Sequence, residues 1–393
     1  MAPLPRPAPA PAWILTGAAV LADAAFAERD LVLAGGRIAA TAPAGARSFD
    51  ADGLLALPGI VDIHGDAFER QVMPRPGVSF DLATALLDTD RQLVANGITT
   101  AMHGVTWSWE PGLRGAENAR ALLDALERLA GHLAADTRYH LRHETYNLAG
   151  EAEILDWIAA GRLGCLAFND HTTGIDLARM TAPKVAKMAE RAGLDHADFA
   201  TLVANVRSRG DEVPASIERL AAAARVAHLP MLSHDDVSPT MRAWFRGLGV
   251  TIAEFPLDVA TAEEARSAGE AVVFGAPNVL RGGSHIGSPA AAAMVRAGLC
   301  TVLTSDYYYP ALAAAPFRLA AQGDADLAAA WALVSENPAR ALGLADRGRL
   351  ADGLRADVVL IDPGTDAVPP RVVATFADGR LVHCADGSRL GPG

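Results

Sequence analysis

Three segments distinguished by their apolar and polar positions follow one another along the 393-residue chain. Residues 13–57 alternate in short runs broken by glycines, as in DLVLAGGRIAATA (30–42), which predicts short strands joined by tight turns. Residues 347–391 repeat the pattern in ADVVLIDPG (356–364) and RVVATFADGRLVHCADG (371–387). Neither end is long enough to bury a sheet face alone, so the two are expected to pair as one small β-sandwich domain. Between them, over 58–346, the period changes. Eight short apolar segments alternate with longer Ala/Leu-rich stretches of helical period. Strands are expected at 59–64, 98–104, 138–144, 164–170, 229–236, 250–255, 271–277 and 300–306. Helices separate them, among them 81–96, 115–134, 180–208 and 326–341. Eight strand–helix repeats predict an α/β chain with a (β/α)8 TIM-type barrel, whose chemistry sits at the C-terminal strand ends.

Composition narrows the function more than the fold. With 51% hydrophobic and 20% charged residues, a sizeable buried core is available. A net charge of −12 argues against a general nucleic-acid binder. Cys165, Cys300 and Cys384 are isolated and read as buried thiols of a reducing compartment. The stretch PAWILTGAAVLADAAFA (11–27) imitates a signal-peptide core, but Gly17 and Asp23 interrupt it and it runs on into the strand pattern. A cytoplasmic location is therefore expected. No uncharged apolar run of about 18 residues predicts a membrane span.

Residues of metal-ligand and acid–base type terminate the predicted barrel strands. The first, GIVDIH, ends in His64, with Asp66 two positions on. Residues i and i+2 of a strand share a face, so this pair points one way where the strand runs out, a spacing that suits a divalent cation. The second strand carries His103, the third ends in Arg142-His143-Glu144, and the fourth leads into Asp170 and His171. The fifth ends in His234-Asp235-Asp236 and the sixth carries Glu254. The seventh runs into Asn278, Arg281 and His285, and the eighth ends in Ser305-Asp306. A single histidine at a strand end is ordinarily a satisfied core or surface residue. Eight polar ends at one barrel mouth would be costly without a shared ligand.

We therefore expect His64, Asp66, Glu144, His171, His234 and Asp306 to hold metal, with Asp170 or Glu254 as alternatives to His171. Imidazole with carboxylate suits zinc, manganese or iron, and the set is large enough for two ions, with zinc the expected metal. Asp306 is the expected acceptor of the attacking water's proton, with His285 as a second catalytic candidate. Arg75, His103, Arg142, Glu254, Asn278, Arg281 and His285 are the substrate-binding candidates. The arginines and the Gly-rich RGGSH turn favour an anionic substrate. The chain has no P-loop, GxGxxG or GxSxG motif.

A resemblance sharpens this. LPGIVDIH after the first β segment, ligand-type residues at strands one, three to five and eight, and the closing VSENPARALGLADRGRLADGLRADVVLID resemble the amidohydrolase superfamily over nearly the whole chain. That superfamily usually carries His-x-His on its first strand, where this chain has His64-Gly65-Asp66. The departure, with DIHGDAFERQVMPRPGV, SHDD, EFP, GAPNVLRGGSHIG and SDYYYPAL, resembles the diphosphatase family of the carbon–phosphorus lyase pathway. The resemblance implies hydrolysis of α-D-ribose 1-methylphosphonate 5-triphosphate to the 5-phosphate and pyrophosphate. It implies a small phosphorylated ribose as partner, no nucleic acid and no membrane, and it is compatible with a homo-oligomer. Alternatives on the same fold are a deacetylase or cyclic amidohydrolase acting on a C–N bond, or a scaffold that kept the barrel without the chemistry.

Overall fold

The computed structural model describes residues 10–391 apart from 76, 176, 178, 179, 284–288 and 366. Eight parallel strands follow one another in chain order in a single sheet. They are Ile60–Gly65, Ile98–Trp107, Asp136–Glu144, Cys165–Asn169, Met231–His234, Ile252–Glu254, Ala271–Gly275 and Val302–Thr304. Every expected barrel strand is present. The first two are buried along their whole length, as continuous apolar runs require when both faces are covered. The first strand also neighbours the last: Gly65 and Asp306 form a parallel bridge. The Asp306 amide donates to the His64 carbonyl at 3.0 Å, and the Asp66 amide to the Asp306 carbonyl at 3.0 Å. That closure makes the sheet a (β/α)8 barrel.

The expected helices at 81–96 and 115–134 appear as Leu82–Ala95 and Ala116–Leu129. The stretch 180–208, expected as one helix, is two: Ala182–Ala192 and His196–Arg207. Gly193 ends the first in the left-handed region (φ 67°), and Asp195 starts the second by accepting from the Asp198 amide at 2.8 Å. The stretch 326–341 likewise splits, into Leu327–Ala332 and Glu336–Ala341, because Ser335 leaves helical geometry between them.

The chain divides into two compact units. The first comprises the chain through Ala101, Arg128–Thr137 and everything from Val273 onward. The second comprises Met102–Glu127 and Arg138–Val272. Within the first unit, two further sheets are made from the chain ends. A four-stranded sheet holds Trp13–Thr16, Leu31–Ala34, Arg37–Ala39 and Arg47–Asp50. A six-stranded sheet takes Ala19–Ala22, Ala25–Glu28 and Leu55–Pro58 from the beginning of the chain, and Val358–Asp362, Arg371–Ala377 and Arg380–Cys384 from its end. Leu55–Pro58 runs antiparallel to Val358–Asp362, which joins the two ends in one sheet. One core gathers Trp13, Leu15, Leu33 and Phe49 with Val358, Leu360 and Phe376. Phe376 meets Trp13 and Phe49 edge-on, with ring centroids 5.5 and 6.0 Å apart.

Cys165 and Cys300 are buried as expected. Cys384 is only half-buried, because it ends a strand at the edge of the six-stranded sheet. Among the described residues no helix is long and apolar enough to cross a membrane.

Candidate metal centre

In the first unit, His64, Asp66 and Asp306 each bring a ligand atom within 4.8 Å of the others. His64 is the penultimate residue of the first barrel strand and is buried, and Asp66 is the first residue beyond that strand. Asp306 adopts φ 53°, a left-handed conformation that aspartate tolerates better than most residues. Asp62, fully buried, accepts from Thr304 Oγ1 at 2.6 Å, Ser305 N at 3.0 Å and Ser305 Oγ at 2.6 Å. Burial pushes the Asp62 carboxyl pKa up, against the pull of these hydrogen bonds. The network pins the end of the eighth strand to the first. It also explains the residue between His64 and Asp66: a Cβ on Gly65 would stand 2.7 Å from Asp62 Oδ2 and 2.9 Å from Ser305 Oγ.

In the second unit, register aligns Glu144, Asn169, His234 and Glu254, one from each of four consecutive strands. Residues paired this way in parallel strands share a face. His234 Nδ1 lies 2.7 Å from Glu254 Oε2, and Arg142 Nη2 lies 3.2 Å from His234 Nε2. A guanidinium can only donate, so Nε2 is the acceptor and the ring proton sits on Nδ1, donated to Glu254. That tautomer keeps the Nε2 lone pair, the atom with which His234 could bind a cation.

His171 is oriented by Glu144. Its Nδ1 lies 2.5 Å from Glu144 Oε1, and its main-chain amide donates to Glu144 Oε2 at 3.2 Å. Its Nε2 is 3.5 Å from Asp235 Oδ2. Hydrogen bonding to Asp235 and then to Glu144 pushes the His171 pKa up to about 9. A cation entering here would displace the Nε2 proton. His171, His234 and Asp235 bring ligand atoms within 4.8 Å of one another. Asp235 has φ 59°, and its amide donates to the Glu254 carbonyl at 2.9 Å.

A model of the amidohydrolase family matches residues 81–383. The chain belongs to the amidohydrolase family. It is 32% identical over 326 residues to the α-D-ribose 1-methylphosphonate 5-triphosphate diphosphatase of Escherichia coli (strain K12), a match covering 80% of this chain and 84% of that one. A dihydroorotase of Leifsonia xyli subsp. xyli is 43% identical over 91 residues, 22% of this chain and 18% of that one. Among solved structures, a D-hydantoinase from Bacillus sp. AR9 superposes with a TM-score of 0.61 at 14% identity, covering 95% of each chain. Molinate hydrolase superposes with a TM-score of 0.61 at 13% identity, again covering 95% of each. These two structures share the fold.

The donor sets fit the divalent metals typical of an amidohydrolase: each group mixes imidazole with carboxylate, and the His234 Nε2 lone pair is already turned toward a positive charge. Asp170, an alternative to His171, instead builds its own turn, accepting from the Thr172 and Thr173 amides at 3.0 and 2.8 Å. Glu254, the other alternative, accepts from His234 Nδ1 at 2.7 Å.

Of the substrate candidates, His103 is buried on the second strand, and burial lowers its pKa to about 4. Asn278 holds the following segment by accepting from the Ala291 amide at 2.9 Å. Arg281, exposed, donates to the Tyr307 hydroxyl at 3.2 Å. Arg75 is exposed in a turn closed by its carbonyl and the Val78 amide at 3.0 Å. His285 lies outside the described residues. Asp235 was visible in SHDD, but only its left-handed turn reveals it as a ligand candidate. Asp62 carried no signal, because it reads as mid-strand.

Proposed function

We propose that this amidohydrolase is a divalent-metal-dependent diphosphatase of the cytoplasm. Its substrate would be α-D-ribose 1-methylphosphonate 5-triphosphate, cleaved between the α- and β-phosphates to the 5-phosphate and pyrophosphate. The observation that carries this reading is the 32% identity extending over 84% of the E. coli diphosphatase. The donor chemistry supports two ions, zinc first among them, in a catalytic barrel of residues 58–346 beside a small β domain of 13–57 and 347–391.

His64, Asp66 and Asp306 would hold one ion; His171, His234 and Asp235 would hold the other, with Glu144 beside His171 as a further ligand or as the carboxylate that orients it. Bound there, the ions supply Lewis acidity and lower the pKa of water. The chain's own residues do the rest. Asp306 takes the proton of the attacking water. Arg142, Arg281 and Arg75 donate to the phosphate chain, spreading its charge as the bond to the leaving pyrophosphate lengthens. Their local field overcomes the protein's net charge of −12 at short range, where screening is weakest.

Hydrolysis of a cyclic amide is the second reading, favoured by the 43% identity with a dihydroorotase over 91 residues. Phosphorus NMR on metal-loaded protein separates the two. The diphosphatase reading expects pyrophosphate and the 5-phosphate to appear together. Orthophosphate released stepwise, or a cyclic amide cleaved faster than the triphosphate, sinks it.

A further inference from the structure

The row Glu144, Asn169, His234, Glu254 contains one member without a role. Asn169 is fully buried, yet neither its amide nitrogen nor its amide oxygen has a hydrogen-bond partner among the described residues. Its neighbours are engaged: Glu144 with His171, and His234 with Glu254. Register fixes where Asn169 points. It is paired with Glu144 on one side and His234 on the other, so its side chain shares the face that carries the second unit's ligand group. Leaving a buried amide unpaired is costly, and a leucine of nearly the same size would fill the space without that cost. An amide placed at such a position is explained by a ligand that arrives there.

We propose that Asn169 is a substrate-contacting residue whose Nδ2 donates to a phosphoryl oxygen of the bound polyphosphate. The inference rests on the diphosphatase reading for the class of ligand. The row is otherwise made of carboxylates and an imidazole already committed to partners, so the asparagine is its neutral donor. A neutral donor binds an anionic oxygen without adding to the positive charge that must later release pyrophosphate.

Three variants test this on metal-loaded protein: Asn169→Leu, Asn169→Ala and Asn169→Asp. The readouts are melting temperature, metal content, affinity for inorganic triphosphate and kcat/KM for pyrophosphate release. Asn169→Leu is expected to keep or raise the melting temperature and to retain metal. It should weaken triphosphate binding and kcat/KM by about 10- to 100-fold, the loss expected for a hydrogen bond to a charged group. Asn169→Asp should weaken triphosphate binding further than Asn169→Leu, by like-charge repulsion.

The proposal is overturned if Asn169→Leu and Asn169→Ala melt well below wild type while binding triphosphate normally, because the amide is then structural. It is also overturned if all three variants bind and turn over like wild type. Failure of the diphosphatase reading looks different: the wild-type protein itself would bind no triphosphate, and the phosphoryl contact would fall with it.

Discussion

The candidate metal group of the first unit is assembled by backbone, and that of the second by side chains that orient one another. His64, Asp66 and Asp306 come together because main-chain hydrogen bonds tie residues 64, 66 and 306, with Asp62 locking the same strand ends from behind. His171 and His234 each have a carboxylate on Nδ1, from Glu144 and Glu254, so ring orientation and tautomer are set by residues far away in sequence. The difference teaches where each group is vulnerable. In the first, removing a ligand should change chemistry and leave geometry intact. In the second, removing a residue that need not touch the metal should still loosen it.

The largest expected effect is at Asp306. Asparagine also tolerates the left-handed backbone there, and the main-chain bonds to His64 and Asp66 do not involve the side chain. Asp306→Asn should therefore keep the melting temperature and lower turnover by at least about 10²-fold. A variant that unfolds would show that this group is not held by backbone; near-normal turnover at pH 7 would remove Asp306 as the proton acceptor.

Next comes Glu254→Gln, which keeps size but removes the charge that fixes the His234 tautomer. Metal affinity in the second group should fall by about 10- to 100-fold. A competitive chelator titration reads it, and unchanged affinity would erase the contrast between the groups.

The smallest effect concerns stability. Burial lowers His103 and His143 to about 4. An unfolded imidazole binds its proton near 6.5, so between pH 6.5 and 4 the unfolded chain holds more protons than the folded one. Stability should fall as pH drops through that window, by at most roughly 1.4 kcal/mol per pH unit for each histidine. Urea denaturation of the apo-protein and of a His103→Gln/His143→Gln variant between pH 7 and pH 4.5 checks it, and the same pH slope in both would contradict neutral burial of these rings.

The same contrast explains what could be read in the sequence. Apolar runs between glycines and helical stretches were enough for eight strands, and the i, i+2 rule was enough to expect His64 and Asp66 near one another. Glu144, His171 and His234 could be named because strand ends in a barrel share a mouth. Whether Glu144 holds metal or holds His171 depends on cross-strand register and side-chain direction, which no spacing along the chain encodes. Asp235 needed its positive φ, and Asn169, inside the expected strand 164–170, needed cross-strand register to show that it shares a face with Glu144 and His234. The break at Gly193 was missed although its signals were present, a glycine followed two residues later by a capping aspartate.

Counting metal ions tests the central claim, that each group holds its own cation, most directly. Elemental analysis after exhaustive dialysis should give two ions per wild-type chain. It should give one in the Asp66→Asn/Asp306→Asn double variant and one in the His171→Ala/Asp235→Asn double variant, with the fold of both verified by circular dichroism. A single ion in the folded wild-type protein, or two retained in either double variant, would contradict the account.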